Sequence, residues 1–182
     1  MRLNLPNKLT VLRVIMIPFF VAFLLLDNIP YNNIIALVIF SVACITDFLD
    51  GYLARKNNLI SNFGKFMDPL ADKLLICAAL ICFVQLDTLP AWITIIIISR
   101  EFIISGFRLI AAESGVVISA SMWGKVKTVV QMFMAIFLII DFDYSLMNIL
   151  EQILIYAALL LTVISLIDYM AKNKGVLKER GK

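Results

Sequence analysis

Six stretches of about twenty predominantly apolar residues, each separated from the next by a short polar or turn-forming break, leave this chain little to fold into except a helical membrane protein. They run approximately over 8–26, 32–55, 69–86, 90–112, 124–141 and 148–170. Within hydrocarbon every backbone N–H and C=O must be paired inside the segment, so each stretch is expected as a transmembrane helix. Composition agrees: 62% of the residues are hydrophobic and the mean hydropathy is +0.97. So much apolar surface exceeds what a water-soluble core of 182 residues could hide. The expected fold class is an all-α integral membrane protein of six transmembrane helices, with residues 1–182 as a single membrane domain and no internal repeat. The first uninterrupted run begins after Arg13 and continues too far to read as a short cleavable leader.

Charge sets the expected sidedness. The breaks near 27–31, 87–90 and 141–147 carry acids (Asp27, Asp87, Asp141 and Asp143) and no Lys or Arg. All sixteen basic residues lie in the termini, in the breaks near 56–68 and 113–123, or in the helices flanking those breaks. Basic residues stay on the cytoplasmic side, so both termini and the 47–72 region are expected to face the cytoplasm of a cell membrane. The net charge of +3 is then a topological signal. No nucleic-acid partner is expected, because basic and aromatic residues are not interleaved along a groove-forming segment.

Residues 3–13 mix polar and apolar positions, with Pro6 or Asn7 as the helix start. One reading is a short interfacial segment whose Lys8 and Arg13 snorkel to lipid headgroups. The other turns Asn7, Thr10 and Arg13, spaced three apart, toward a shared polar site. Cys44, Cys77 and Cys82 lie in apolar segments without metal-ligand spacing and read as small buried hydrophobes. Histidine is absent from the sequence, which excludes His-based zinc sites, haem ligation through His and a Ser-His-Asp triad.

Four of the few acids form one pattern between the second and third apolar stretches: Asp47, Asp50, Asp68 and Asp72, with Gly51, Ala54, Arg55 and Gly64 among them. Asp47 and Asp50 are three apart and Asp68 and Asp72 four apart, so on helices each pair shares a face. Four such charges converging at a membrane repel strongly unless cations sit among them. Oxygen ligands without His or Cys favour hard divalent ions, Mg²⁺ or Mn²⁺ before Zn²⁺. Four carboxylates can hold two ions, an arrangement suited to displacement at phosphorus. Gly51 removes a side chain where a substrate could approach the helix backbone, and Ala54 does so in part. Gly64 suits a tight loop returning to the membrane, and Asp68 reads as the N-cap of a third helix with Pro69 in its first position. Any one acid near a helix end is ordinarily just solvated; the complete pattern is not explained that way.

The string D-x₂-D-G-x₂-A-R-x₈-G-x₃-D-x₃-D, running from Asp47 to Asp72, resembles the signature of the CDP-alcohol phosphotransferase family. The resemblance, with chain size and six spans, extends over essentially the whole sequence. It implies transfer of a substituted phosphate from a CDP-linked donor to an alcohol with release of CMP, two Mg²⁺ or Mn²⁺ ions, and a homodimer. By resemblance Asp47, Asp50, Asp68 and Asp72 bind metal and Asp72 is also the general base. Gly51, Ala54, Arg55, Ser61 and Gly64 line the CDP-donor site.

The flanks narrow the resemblance. Pro6 to Arg13, Ser99 to Arg108 and Gly124 to Gln131 are similar to the branch of that family joining CDP-diacylglycerol to sn-glycerol 3-phosphate. The residues point the same way by themselves. Arg100 and Glu101 stand near the middle of the fourth span, where ionisable groups are costly and commonly functional. Arg100, Arg108, Lys125 and Lys127, with Thr10 and Arg13, are candidates for holding an acceptor phosphate, which Arg can grip with two parallel hydrogen bonds. The plainer alternative pairs Arg100 and Glu101 with neighbouring helices and leaves the lysines as cytoplasmic-side charges. Rival functions are the same chemistry on inositol phosphate, serine or phosphatidylglycerol, and a small cation transporter. The last expects acids spread through both halves of the chain rather than clustered at one boundary.

Overall fold

Long apolar segments become long helices, and the structure, a computed structural model, consists of helices and short connections among its described residues. It describes the backbone of residues 5–26, 28–56, 62–113, 118, 121–141 and 144–173, and the side chains of 7–26, 28–47, 67, 70, 71, 73–111, 118, 121–141 and 144–173. These residues form six helices: α1 Leu5–Leu25, α2 Asn32–Lys56, α3 Asn62–Gln85, α4 Ala91–Glu113, α5 Met122–Ile140 and α6 Ser145–Lys172. Among them α1 from Asn7, α5 and α6 are long and apolar enough to cross a membrane, and α2 and α3 contribute shorter apolar stretches, Asn32–Asp47 and Lys73–Gln85. The apolar run of α4 is interrupted by Arg100, Glu101 and Arg108.

Two expectations change. The polar stretch ahead of the first apolar run is continuous with α1, which starts at Leu5. Pro6 is tolerated there because a first-turn N–H has no helical partner to lose. The third helix starts at Asn62, seven residues before Pro69, so Asp68 is not its N-cap and Gly64 serves no loop. The prolyl ring costs one backbone bond inside the helix, a cost that local start rules treat as decisive and that packing of a long helix overrides.

The helices group into two compact units, Met1–Thr88 with Ile139–Asp141, and Leu89–Leu138 with Phe142–Lys182. In the first, α1 packs against both α2 and α3, and α2 against α3. Phe20 meets Phe40 with ring centroids 5.6 Å apart. Ala36, Ala43, Ala71 and Ala79 are fully buried, and small side chains of this kind let membrane helices approach closely. In the second unit α4 packs on α6, where Ile104, Phe107 and Tyr169 form a buried cluster. Of the three cysteines Cys82 is buried while Cys44 and Cys77 are half-buried, all within helices.

Beside this apolar core, several polar side chains are buried and many large apolar ones are exposed. Buried positions include Asn7, Thr10, Arg13, Arg100, Lys127, Gln131 and Ser165. Exposed positions on α6 form an unbroken apolar stripe, Ile149, Ile153, Tyr156, Leu160, Val163 and Ile167, at the three- and four-residue spacing of one helix face. Such a face is matched to lipid tails rather than water.

Where α3 ends, Asp87 takes the left-handed conformation with φ 56°. Its N–H reaches the Val84 carbonyl at 3.2 Å and the Thr88 N–H reaches Phe83 at 3.0 Å, the paired bonds of a Schellman cap. An L side chain at this position carries strain that Asp tolerates better than most residues and glycine avoids. Asp87→Gly is therefore expected to raise thermal stability by up to about 1 kcal/mol, read as a higher unfolding midpoint in detergent.

Candidate active site

Helix α2 carries Asp47, Asp50, Gly51, Ala54 and Arg55, and α3 carries Gly64, Asp68 and Asp72. Both acidic pairs thus lie within continuous helix, so the three- and four-residue spacings do place each pair on one face. Ser61 lies outside the described residues, as do the side chains of Asp50, Gly51, Ala54, Arg55, Gly64, Asp68 and Asp72. Among the described residues no group of three or more acidic, Cys or His side chains stands together. The donor set is nevertheless all-carboxylate and carried by two helices that pack on each other, which suits hard divalent ions.

Asp47 has a defined partner. Arg13 Nη1 lies 2.7 Å from Asp47 Oδ1, with the arginine side chain fully buried and the aspartate 41% exposed. Asn7, Thr10 and Arg13 recur every three residues along α1 and are all buried, so Arg13 does not snorkel to the surface, while Lys8 is exposed. Thr10 and Arg13 were expected to hold an acceptor phosphate; in the structure the Arg13 guanidinium is engaged with a member of the aspartate set.

The second unit builds a polar clasp from three helices. Arg100 on α4 donates from Nε to Ser165 Oγ on α6 at 3.2 Å and from Nη1 to Glu101 Oε1 at 3.0 Å. Lys127 on α5 donates to that same Glu101 oxygen. Arg100 is 8% and Lys127 2% exposed, and the carboxylate between them offsets part of the cost of burying both. Gly124 makes room for the arrangement, because a Cβ there would stand 3.3 Å from Arg100 Nη2. Lys125 is exposed one residue after Gly124. Arg108, also exposed, lies over the Tyr169 ring at 5.7 Å, within cation–π range. Tyr169 itself is buried edge-on against Phe107, and its hydroxyl has no hydrogen-bond partner among the described residues.

Of the expected acceptor residues, then, Arg100 and Lys127 are brought together through Glu101, while Arg108 and Lys125 stand on the same two helices. Ser165 and Tyr169 were not anticipated. A signal existed: Thr162, Ser165 and Tyr169 are polar-capable residues three and four apart in an otherwise apolar helix, and together they form part of its buried stripe.

Comparison with known proteins gives these helices a context. A protein-family model described as CDP-alcohol phosphatidyltransferase matches residues 3–164. The chain is 42% identical to the CDP-diacylglycerol–glycerol-3-phosphate 3-phosphatidyltransferase of Bacillus subtilis, over 96% of this chain and 97% of that protein. It is 44% identical to the Haemophilus influenzae protein of the same name, over 97% of each. It is also 42% identical to a probable phosphatidylglycerophosphate synthase of Mycobacterium tuberculosis, over 93% of this chain and 81% of that protein. With a family match covering most of the sequence and relatives this similar along nearly their full length, the chain belongs to the CDP-alcohol phosphatidyltransferase family.

Proposed function

We propose that this protein transfers the phosphatidyl group of CDP-diacylglycerol to sn-glycerol 3-phosphate, giving phosphatidylglycerol phosphate and CMP. The observation carrying this reading is the complete aspartate signature held in register on α2 and α3. The names of the relatives, and a buried cationic cluster suited to a phosphate-bearing acceptor, support it.

All six helices span a cell membrane with both termini and the aspartates on the cytoplasmic side, the arrangement favoured by the basic and acidic breaks. Asp47, Asp50, Asp68 and Asp72 would hold two Mg²⁺ or Mn²⁺ ions, whose chemistry when bound is to neutralise charge on the reacting phosphoryl group and on departing CMP. Gly51, Ala54, Arg55, Ser61 and Gly64 receive the CDP moiety while the acyl tails remain in lipid. Arg100, Arg108, Lys125 and Lys127 attract and orient the phosphate of the acceptor. Asp72 accepts the proton of the primary hydroxyl as that oxygen attacks the phosphorus bearing diacylglycerol. The protein acts as a homodimer, as the family resemblance implies.

The direct test is to incubate the purified protein with CDP-diacylglycerol, Mg²⁺ and, in turn, glycerol 3-phosphate, inositol phosphate, serine and phosphatidylglycerol. CMP should appear with the first alone and should vanish on thorough chelation. Release with a different acceptor would reassign the substrate, and release after chelation would remove the metal. Gly124→Ala probes the acceptor side. The added methyl presses on Arg100 Nη2, while the substitution itself favours helix by about 1 kcal/mol. The expected result is an unchanged or higher unfolding midpoint with a several-fold rise in KM for glycerol 3-phosphate; an unchanged KM would take Arg100 out of acceptor binding.

A further inference from the structure

We infer that Arg13 is a positioning residue for the aspartate cluster: its buried guanidinium orients Asp47 for metal binding rather than gripping the acceptor phosphate. The inference rests on the metal-site reading above. A fully buried arginine needs an anion beside it, and Asp47 stands 2.7 Å away. The pairing does not seal the carboxylate, which stays 41% exposed and open to a cation from its solvent side.

Helix α1 is the right element for this role, because it packs against α2 and α3 alike, the two helices that carry the four aspartates. Its buried face carries Asn7, Thr10 and Arg13 at intervals of three residues, a polar ridge ending at Asp47. A carboxylate on a helix has several rotamers, and a charge-assisted contact to a group locked by burial removes most of them before any ion arrives. Groups that orient a metal ligand in this way typically change metal affinity by roughly 10- to 100-fold when removed.

The experiment measures Mn²⁺ binding directly, by the loss of the free Mn²⁺ paramagnetic resonance signal on titration into purified full-length protein in detergent, without substrate. Arg13→Gln should weaken binding by roughly 10- to 100-fold. Arg13→Lys, which keeps the charge but not the planar fork, should fall between that variant and the parent, and it carries the test should Arg13→Gln fail to fold. Asp47→Asn should also weaken binding, and adding Arg13→Gln to it should cost less than Arg13→Gln costs in the parent, because the two side chains are paired. A purely structural arginine would instead weaken binding equally in both backgrounds. Parent-like Mn²⁺ affinity in the Arg13 variants, with a raised KM for glycerol 3-phosphate, would overturn the inference and return Arg13 to the acceptor site. Absence of Mn²⁺ binding by the parent protein would overturn the metal-site reading itself, and this inference with it.

Discussion

Asp72→Asn is expected to cut CMP release by about 10³-fold or more while leaving the protein folded. A positioned general base contributes about 10²- to 10⁴-fold, and Asp72 is also assigned to the metal, so both contributions fall together. Asn matches the aspartate in size but cannot accept the hydroxyl proton and is a weaker ligand. If the four carboxylates converge as proposed, losing one charge should not lower the unfolding midpoint measured in the absence of divalent ions, and relief of repulsion should raise it slightly. CMP release is followed in the same preparation used for thermal unfolding. Near-parental turnover in a folded Asp72→Asn protein would remove this residue from the chemistry.

The other large effect belongs to the second unit. Glu101→Gln takes away the carboxylate that Arg100 and Lys127 share, removing an anion from beside two buried cations. Breaking a buried pair by removing one partner costs about 3–5 kcal/mol, which corresponds to a fall of roughly 10 °C in the unfolding midpoint. If these cations also bind the acceptor, the phosphate of glycerol 3-phosphate can take the place of the missing carboxylate. Saturating glycerol 3-phosphate should then raise the midpoint of the variant more than that of the parent. A midpoint that does not fall would show that the clasp is not a dependent ion cluster. A midpoint that falls and gains nothing extra from the ligand would separate the cluster from the acceptor.

How far each site could be read without a fold follows from what kind of information each residue carries. Asp47 and Asp50, like Asp68 and Asp72, are related by spacing within a single helix, and helical period makes that relation independent of everything else in the molecule. The α3 start shows the limit of local signals: Asp68-Pro69 is a good helix opening by composition, yet the helix begins at Asn62. Start rules weigh one turn at a time, whereas a long helix weighs the packing of its whole length. Arg13 shows a different limit. Its three-residue spacing with Asn7 and Thr10 marked an inward polar ridge, but nothing in that spacing could say which anion the ridge would meet.

The sequence alone therefore determined the properties that are local or additive: a helical membrane protein, approximate helix bounds, a charge pattern implying sidedness, and the register of the acidic pairs. Tertiary structure decided which charges pair, joining Arg13 to Asp47, Arg100 and Lys127 to Glu101, and Arg100 to Ser165. It also decided that Tyr169 would lie beneath Arg108. The physical reason is that a partner on another helix is chosen by the rotation and crossing of two packed surfaces, which depend on many side chains at once, whereas apolar length and helical period are written in each segment by itself.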